Sequence, residues 1–161
     1  MASCKEVHAM ADTFPNLRVR DLISNRTLQT VFPEDNLALV NQIMSENRIR
    51  HLPVIDREDG TLLGLISHRD LVRHALFATD ELPAYSEDDF LSKTKVNFAM
   101  VRDIETIDID TDIRDAATTM LENKFGCLPV MEGGELAGIL TESDFVEFVR
   151  SQVPGIKRRT A

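Results

Sequence analysis

The chain has 161 residues, 43% of them hydrophobic and 28% charged, which is enough apolar sequence for a buried core. Its formal net charge of -9 argues against nonspecific binding to nucleic acid or to an anionic membrane. No apolar run is long enough for a membrane span, and the N-terminal residues lack the apolar region of a signal peptide. We therefore expect a cytoplasmic protein.

The first half of the chain predicts a β-α-β-β-α unit behind a loose N-terminal arm. Apolar residues at helical spacing predict the first helix, which Asp35 or Asn36 caps. The other predicted elements are a β-rich stretch at Leu28–Pro33, strands at Leu52–Ile55 and Leu62–Ile66, and a closing helix at His68–Phe77.

A linker with Pro83 and an acidic run follows, and it predicts one or two helical turns around Asp88–Lys93. The second half then repeats the first. Thr111 or Asp112 caps its first helix. Its predicted strands and closing helix are Glu105–Ile109, Cys127–Met131, Leu136–Leu140 and Glu142–Gln152.

The two halves align residue by residue. Thr30–Val54 matches Thr106–Val130, and Gly64–Asp70 matches Gly138–Asp144, with the length difference confined to the turn between the strands. A unit of about 55 residues buries too little surface to be a stable domain by itself. We therefore expect an α/β (α+β) fold in which two repeats pack face to face around a pseudo-twofold axis.

This repeated unit resembles the CBS domain. The resemblance rests on a strand with Leu-Pro-Val at its centre (His51-Leu-Pro-Val-Ile and Cys127-Leu-Pro-Val-Met) and on the motif Ser67-x-x-Asp70, repeated as Thr141-x-x-Asp144. A similar stretch precedes each repeat, Val19-Arg-Asp-Leu and Met100-Val-Arg-Asp-Ile. Each piece alone is weak, but all of them occur twice, in order and at matching spacing.

The resemblance implies a disc-like tandem module, the Bateman module, which commonly forms homodimers. Phe77 and Phe148 on the closing helices are candidates for a dimer face, and Phe148 is equally a candidate for the core. The predicted organisation is an N-terminal arm (1–18), a first CBS domain (19–78), a linker (79–96), a second CBS domain (97–152) and a basic tail (153–161).

Family members often bind AMP, ADP, ATP or S-adenosylmethionine in clefts between the repeats, with the motif Asp on the ribose hydroxyls, and no metal cofactor is required. The resemblance therefore implies an adenine nucleotide as regulatory ligand. The positions carried over are Thr30, Arg50, His51, Pro53, Ser67, Arg69 and Asp70 for a first site, and Thr106, Gly126, Cys127, Thr141 and Asp144 for a second.

The Ser/Thr-x-x-Asp motif also has a purely structural interpretation, since it is a helix-capping pattern before an apolar run. Capping and ligand contact are compatible. The repeat context makes us favour ligand contact for Asp70 and Asp144.

The two repeats differ in charge. Arg50, His51 and Arg69 favour a phosphate-bearing ligand at the first site, whereas the second is expected to hold a neutral nucleoside or nothing. Arg48 and Arg73 are better interpreted as partners in surface ion pairs.

Enzymatic function is not expected. Ser67, His68 and Asp70 lie in a row at a helix start, which does not allow the geometry of a catalytic triad, and phosphate-binding glycine loops are missing. Neither Cys4 nor Cys127 has metal-ligand spacing. The alternatives left open are a sensor that relays occupancy to a partner protein, a dimerisation module with empty clefts, and the regulatory part of a larger transporter or enzyme.

Overall fold

The computed structural model describes residues 17–23, 27–81 and 87–152, without the side chains of 76–81 and 87–89. Most of the predicted arm, the basic tail, Cys4 and the side chain of Phe77 therefore lie outside the described residues. The helices are α1 (Val19–Leu22), α2 (Leu37–Asn47), α3 (His68–Glu81), α4 (Glu87–Lys93), α5 (Val96–Ala99), α6 (Ile113–Asn123) and α7 (Glu142–Gln152). The strands are β1 (His51–Ile55), β2 (Leu62–Ser67), β3 (Ile107–Asp108), β4 (Cys127–Glu132) and β5 (Glu135–Thr141).

Each repeat is organised around an antiparallel hairpin with the same register. In the first repeat β1 pairs with β2, and His51 lies opposite Ser67. In the second repeat β4 pairs with β5, and Cys127 lies opposite Thr141. The Ser/Thr that precedes each closing helix is thereby fixed beside the first residue of the neighbouring strand.

The predicted first strand is largely absent from the first repeat. Leu28–Pro33 contributes a single parallel bridge, Val31 to Val54. The amide of Val31 donates to the carbonyl of Pro53, and its carbonyl accepts from the amide of Ile55. A turn begins at the next residue, where the amide of Phe32 donates to Asp35 Oδ2 at 2.8 Å. In the second repeat the corresponding stretch is a strand of two residues, β3, parallel to β4.

The helix before the hairpin of each repeat, α2 or α6, begins at a polar cap and ends at a basic residue. Asn36 accepts from the amide of Leu39, and Asp112 from that of Arg114, so one of the two candidates is selected in each case. Arg48 and Lys124 end these helices in the left-handed conformation, with φ of 54° and 57°. This conformation is ordinarily left to glycine or asparagine.

The segments that precede the repeats are exchanged between them. Helix α1 packs on the second repeat, where the amide of Val19 donates to the carbonyl of Thr111 at 2.9 Å. Helix α5 packs on the first repeat, where the amide of Val96 donates to the carbonyl of Asp35 at 2.8 Å. Val19 and Val96 are both completely buried in these cores.

Each core is aliphatic and includes its exchanged segment. The first consists of Val31, Leu37, Val40, Met44, Leu52, Val54, Ile66, Leu71, Ala75, Leu91, Val96 and Ala99. The second consists of Val19, Leu22, Ile109, Ile113, Ala116, Met120, Leu128, Val130 and Leu140, with Phe145 and Phe148 packed against it. Phe148 is thus half-buried against the second core.

The repeats also meet at a close backbone approach beside Gly64. Leu65 and Val101 exchange two backbone hydrogen bonds of 2.9 Å. A β-carbon on Gly64 would lie 2.5 Å from the carbonyl oxygen of Val101. This clash is with backbone, so it is relieved only if the backbone moves. At the equivalent Gly138 a β-carbon would lie 3.2 Å from Cδ1 of Ile23, a flexible side-chain end.

This pair of glycines gives a matched stability test. Gly64→Ala is expected to destabilise the protein by about 1–3 kcal/mol, because the new methyl group is forced against backbone. Gly138→Ala is expected to cost less, because the Ile23 side chain can rotate away. Urea unfolding of both variants measures the difference, and equal losses would contradict the argument.

Candidate functional site

A cavity of about 560 Å³ lies between the two repeats. The first repeat contributes the chain before Val31 and the end of α2, and the second contributes β5 and the start of α7. The lining residues are Ile23, Thr27, Leu28, Gln29, Asn47, Arg48, Ile49, Arg50, His51, Gly126, Ala137, Gly138, Ile139, Thr141, Glu142, Ser143 and Asp144. The volume lies within the range of small-molecule sites.

Asp144 is the charged residue that defines this cavity. At 8% exposure, it is the one charged residue classed as buried in the described part of the chain. Its Oδ2 accepts from the backbone amide and from the hydroxyl of Thr141, both at 2.7 Å. No donor among the described residues reaches its other carboxylate oxygen, so Oδ1 remains available to a ligand.

Asp70 holds the equivalent cap in the first repeat but has different surroundings. Its Oδ2 accepts from the amide of Ser67 at 2.9 Å and from the Ser67 hydroxyl at 2.5 Å. Its Oδ1 lies 4.0 Å from the guanidinium of Arg73, one helical turn further on. Asp70 lines neither of the two cavities described here.

A second cavity of about 320 Å³ adjoins the first and is predominantly basic. Its lining residues are Arg50, His51, Ser67, His68, Arg69, Lys124, Gly126 and Glu142. Arg50, His51, Gly126 and Glu142 belong to both cavities, so the two form one continuous cleft between the repeats.

The structure groups the candidate residues differently from the sequence prediction. Arg50 and His51 were expected to serve Ser67 and Asp70 of their own repeat. They do line the basic cavity together with Ser67, but Asp70 is absent from it. They also line the larger cavity, together with Thr141 and Asp144 of the other repeat. The site is built across the pseudo-twofold axis, so the second motif Asp has basic neighbours after all.

The remaining predicted residues lie at or outside the edges of the cleft. Arg69 and Ser67 line the basic cavity. Thr30 follows the lining residues of the first repeat but is not itself among them, and Thr106 is exposed and also lies outside both cavities. Pro53 is fully buried within β1.

Cys127 is part of the hydrophobic interior. It is buried in β4, and burial is the main cause that raises the pKa of its thiol to about 12, with a smaller contribution from Glu142. Such a thiol remains protonated and unreactive at neutral pH.

Sequence reasoning missed several lining residues. Arg48 was interpreted as a surface residue, yet it lines the larger cavity, whereas Arg73 does form a surface ion pair, with Asp70. Ile23 and Gln29 line the cavity as well, and their sequence carries no motif. One sequence signal for Arg48 was available. Arg48 aligns with Lys124 in the other repeat, and in the structure both of these basic residues end a helix at the cleft.

The described residues contain no group of three or more His, Cys, Asp or Glu side chains arranged to hold a metal ion. None of their helices has the length and apolar character that crossing a bilayer requires.

His51 is the titratable group at the junction of the two cavities. Burial lowers its pKa, the neighbouring Arg50 lowers it further, and Asp70 and Glu142 act in the opposite direction. A β-carbon on Gly126 would lie 3.5 Å from the His51 ring, so the ring faces the opposite repeat across the cleft.

The lowered pKa of His51 makes folding stability depend on pH. Below the ordinary histidine pKa of 6.5, the unfolded chain takes up a proton more readily than the folded chain. The stability associated with neutral His51 is therefore present above this pKa and is lost as the pH falls. We expect His51→Gln to show a smaller loss of stability between pH 7 and pH 5 than the parent protein.

Urea unfolding at the two pH values, roughly pH 7 and pH 5, measures this difference. The control is His74→Gln, since His74 lies on α3 and lines neither cavity. An unchanged pH dependence in His51→Gln would show that His51 does not contribute.

The comparisons with known proteins agree with this architecture. The CBS domain family matches residues 19–76 and 95–151, which together make up most of the chain. A CBS domain-containing protein of Dictyostelium discoideum is 34% identical over 136 residues, covering 81% of this chain and 90% of that protein. The chloroplastic CBS domain-containing protein CBSX1 of Arabidopsis thaliana is 33% identical over 137 residues, covering 74% of this chain and 58% of that protein.

Solved structures show the same arrangement of repeats. The crystal structure of CBSX2 in complex with AMP superposes with a TM-score of 0.68 at 28% identity, covering 84% of this chain and 97% of that one. The repeats, the hairpin register and the matched family together lead to one assignment: this chain belongs to the CBS-domain family and carries two CBS repeats.

Proposed function

We propose that this chain is a regulatory module that binds an adenine nucleotide in the cleft between its repeats. The observation that carries the proposal is Asp144, a buried carboxylate with one available oxygen at the wall of a ligand-sized cavity. AMP, ADP or ATP would bind with its ribose at Asp144 and its phosphates towards Arg50.

The chemistry of Asp144 suits a ribose. An ionised carboxylate accepts hydrogen bonds from neighbouring hydroxyl groups, and such charge-assisted bonds are stronger than neutral ones. Because Oδ2 is already held by Thr141, the carboxylate is fixed in orientation before a ligand arrives. A fixed acceptor loses little conformational freedom on binding.

The rest of the cleft suits the two other parts of a nucleotide. The apolar side chains of Ile23, Leu28, Ile49 and Ile139 line the larger cavity and fit the faces of an adenine ring. Arg50 lines both cavities and Arg69 the basic one, where guanidinium groups bind phosphate oxygens in pairs.

The AMP complex of CBSX2 supports an adenosine ligand for a chain of this family and this degree of similarity. A ligand bound in this cleft would contact both repeats at once and so favour one packing of the repeats over others. We propose that occupancy is relayed in this way to a partner protein in the cytoplasm, and that the module is regulatory and not catalytic.

A pair of equivalent substitutions tests the assignment of the ribose site. Asp144→Asn is expected to weaken AMP binding by about tenfold to a hundredfold, because it removes the charged acceptor, and hydrogen bonds to charged groups contribute roughly 1.5–3 kcal/mol. Asp70→Asn is expected to weaken it much less, because Asp70 lines neither cavity. Isothermal titration calorimetry measures both affinities.

Asp70 and Asp144 are the third residues of their helices and accept from the amide of Ser67 or Thr141. The amide oxygen of asparagine accepts the same bond, so both variants retain it. Thermal unfolding of each variant without ligand confirms that the fold is intact. Equal weakening by the two substitutions would contradict the assignment to Asp144. Failure of AMP, ADP and ATP alike to bind the folded parent protein would overturn the proposed function.

We further propose that the module forms a homodimer through its closing helices. Val146 and Val149 lie one turn apart on α7 and are 68% and 60% exposed, and Val72 on α3 is 44% exposed. Apolar side chains in such a row on an exposed helix face are typical of a protein interface.

The double substitution Val146→Glu and Val149→Glu is expected to convert a dimer to a monomer, because it places charges within the apolar contact. Light scattering coupled to size-exclusion chromatography measures the mass. Leu121→Glu is the control, since Leu121 is 78% exposed on α6, which is not a closing helix. A parent protein that is already monomeric would refute the dimer.

A further inference from the structure

Glu142 is an acidic side chain in a cleft that is otherwise basic. It is the first residue of α7, is exposed, and lines both cavities. Its charge acts on two groups in the cleft, since it opposes the lowering of the pKa of His51 and contributes to raising that of Cys127. A ligand that extends from the larger cavity into the basic one therefore passes this carboxylate.

The helix start itself does not require an acid at this position. His68 occupies the equivalent place in the first repeat and begins α3, where its amide donates to the carbonyl of Arg50 at 2.8 Å. The amide of Glu142 donates to the carbonyl of Gly126 at 3.3 Å. Both repeats thus build the same helix start with side chains of different charge, which leaves the carboxylate of Glu142 without a necessary structural role.

The net positive charge of the whole cleft balances the negative charge of a monophosphate. Its cations are Arg48, Arg50, Arg69 and Lys124, and its anions are Glu142 and Asp144. With histidines neutral, the cleft carries a net charge of about +2, against about −2 for a phosphate monoester near neutral pH. Each further phosphate group adds negative charge in the basic cavity, which Glu142 lines.

We propose that Glu142 sets the number of phosphate groups that the cleft accepts, and that it selects a nucleoside monophosphate over a triphosphate. This inference rests on the proposed function and deepens it. The repulsion between Glu142 and the outer phosphate groups lowers the affinity for longer ligands, while Asp144 holds the ribose of all of them equally.

Glu142→Gln tests the proposal, because it removes the charge and keeps the size of the side chain. The affinities of AMP, ADP and ATP are measured by isothermal titration calorimetry in EDTA, so that no magnesium neutralises the phosphates. The parent protein is expected to bind AMP more tightly than ATP. The variant is expected to gain affinity for ATP relative to AMP by about threefold to tenfold, as for one charge pair separated by several ångströms at a solvated surface.

Glu135→Gln is the matched control, since Glu135 is an exposed glutamate of the β4–β5 hairpin that lines neither cavity. It changes the net charge of the protein by the same amount and is expected to leave the ratio of the two affinities unchanged. High salt is expected to reduce the effect of Glu142→Gln, because salt screens exposed charges.

The outcomes separate this proposal from the one on which it rests. A parent protein that prefers ATP, or a variant in which the AMP and ATP affinities change by the same factor, overturns the role of Glu142 and leaves nucleotide binding intact. A folded parent protein that binds none of the three nucleotides overturns the proposed function and this inference with it.

Discussion

Val19 and Val96 are each completely buried in the core of the repeat that they do not precede, and the rest of the architecture depends on this exchange. A single β-α-β-β-α unit leaves too much apolar surface uncovered to be stable by itself. Helices α1 and α5 complete the two cores and hold the repeats against each other. The backbone bonds between Leu65 and Val101 then fix their relative position.

The exchange has a direct effect on the cleft. It brings Arg50 and His51 of the first repeat against the start of α7 in the second, so that the cations and Asp144 surround one cavity although they are far apart in sequence. The equivalent Asp70 faces the guanidinium of Arg73 instead. Two repeats with the same backbone thus provide unequal surroundings for the same carboxylate.

Much of the fold was predictable from sequence because each hydrophobic pattern and each turn occurs twice, once in each repeat. The hairpins, the helix caps at Asn36 and Asp112 and the helix α4 in the linker were all expected. Local patterns overestimated the strand at Leu28–Pro33, since β-propensity cannot show that the turn at Asp35 interrupts the ladder after one bridge.

The candidate site was predicted less completely than the fold. The residue types were found by motif, and Arg50, His51, Thr141 and Asp144 do line one cavity. Their grouping was not found, because sequence order assigns each cation to the Asp of its own repeat, and only the exchanged packing joins them across the axis. Arg48 was overlooked because the many acidic residues of the chain favoured a surface ion pair for it.

The two oxygens of the motif carboxylate also bear on how such proteins diverge. One oxygen of Asp144 caps a helix through Thr141, and this bond stabilises the protein whether or not the cleft is filled. Selection for folding alone therefore preserves the Ser/Thr-x-x-Asp motif in a repeat that has stopped binding anything. Within this chain Asp70 and Asp144 make the same bond at a helix start, but only Asp144 lines either of the two cavities described, so the motif alone does not distinguish a binding repeat from a structural one.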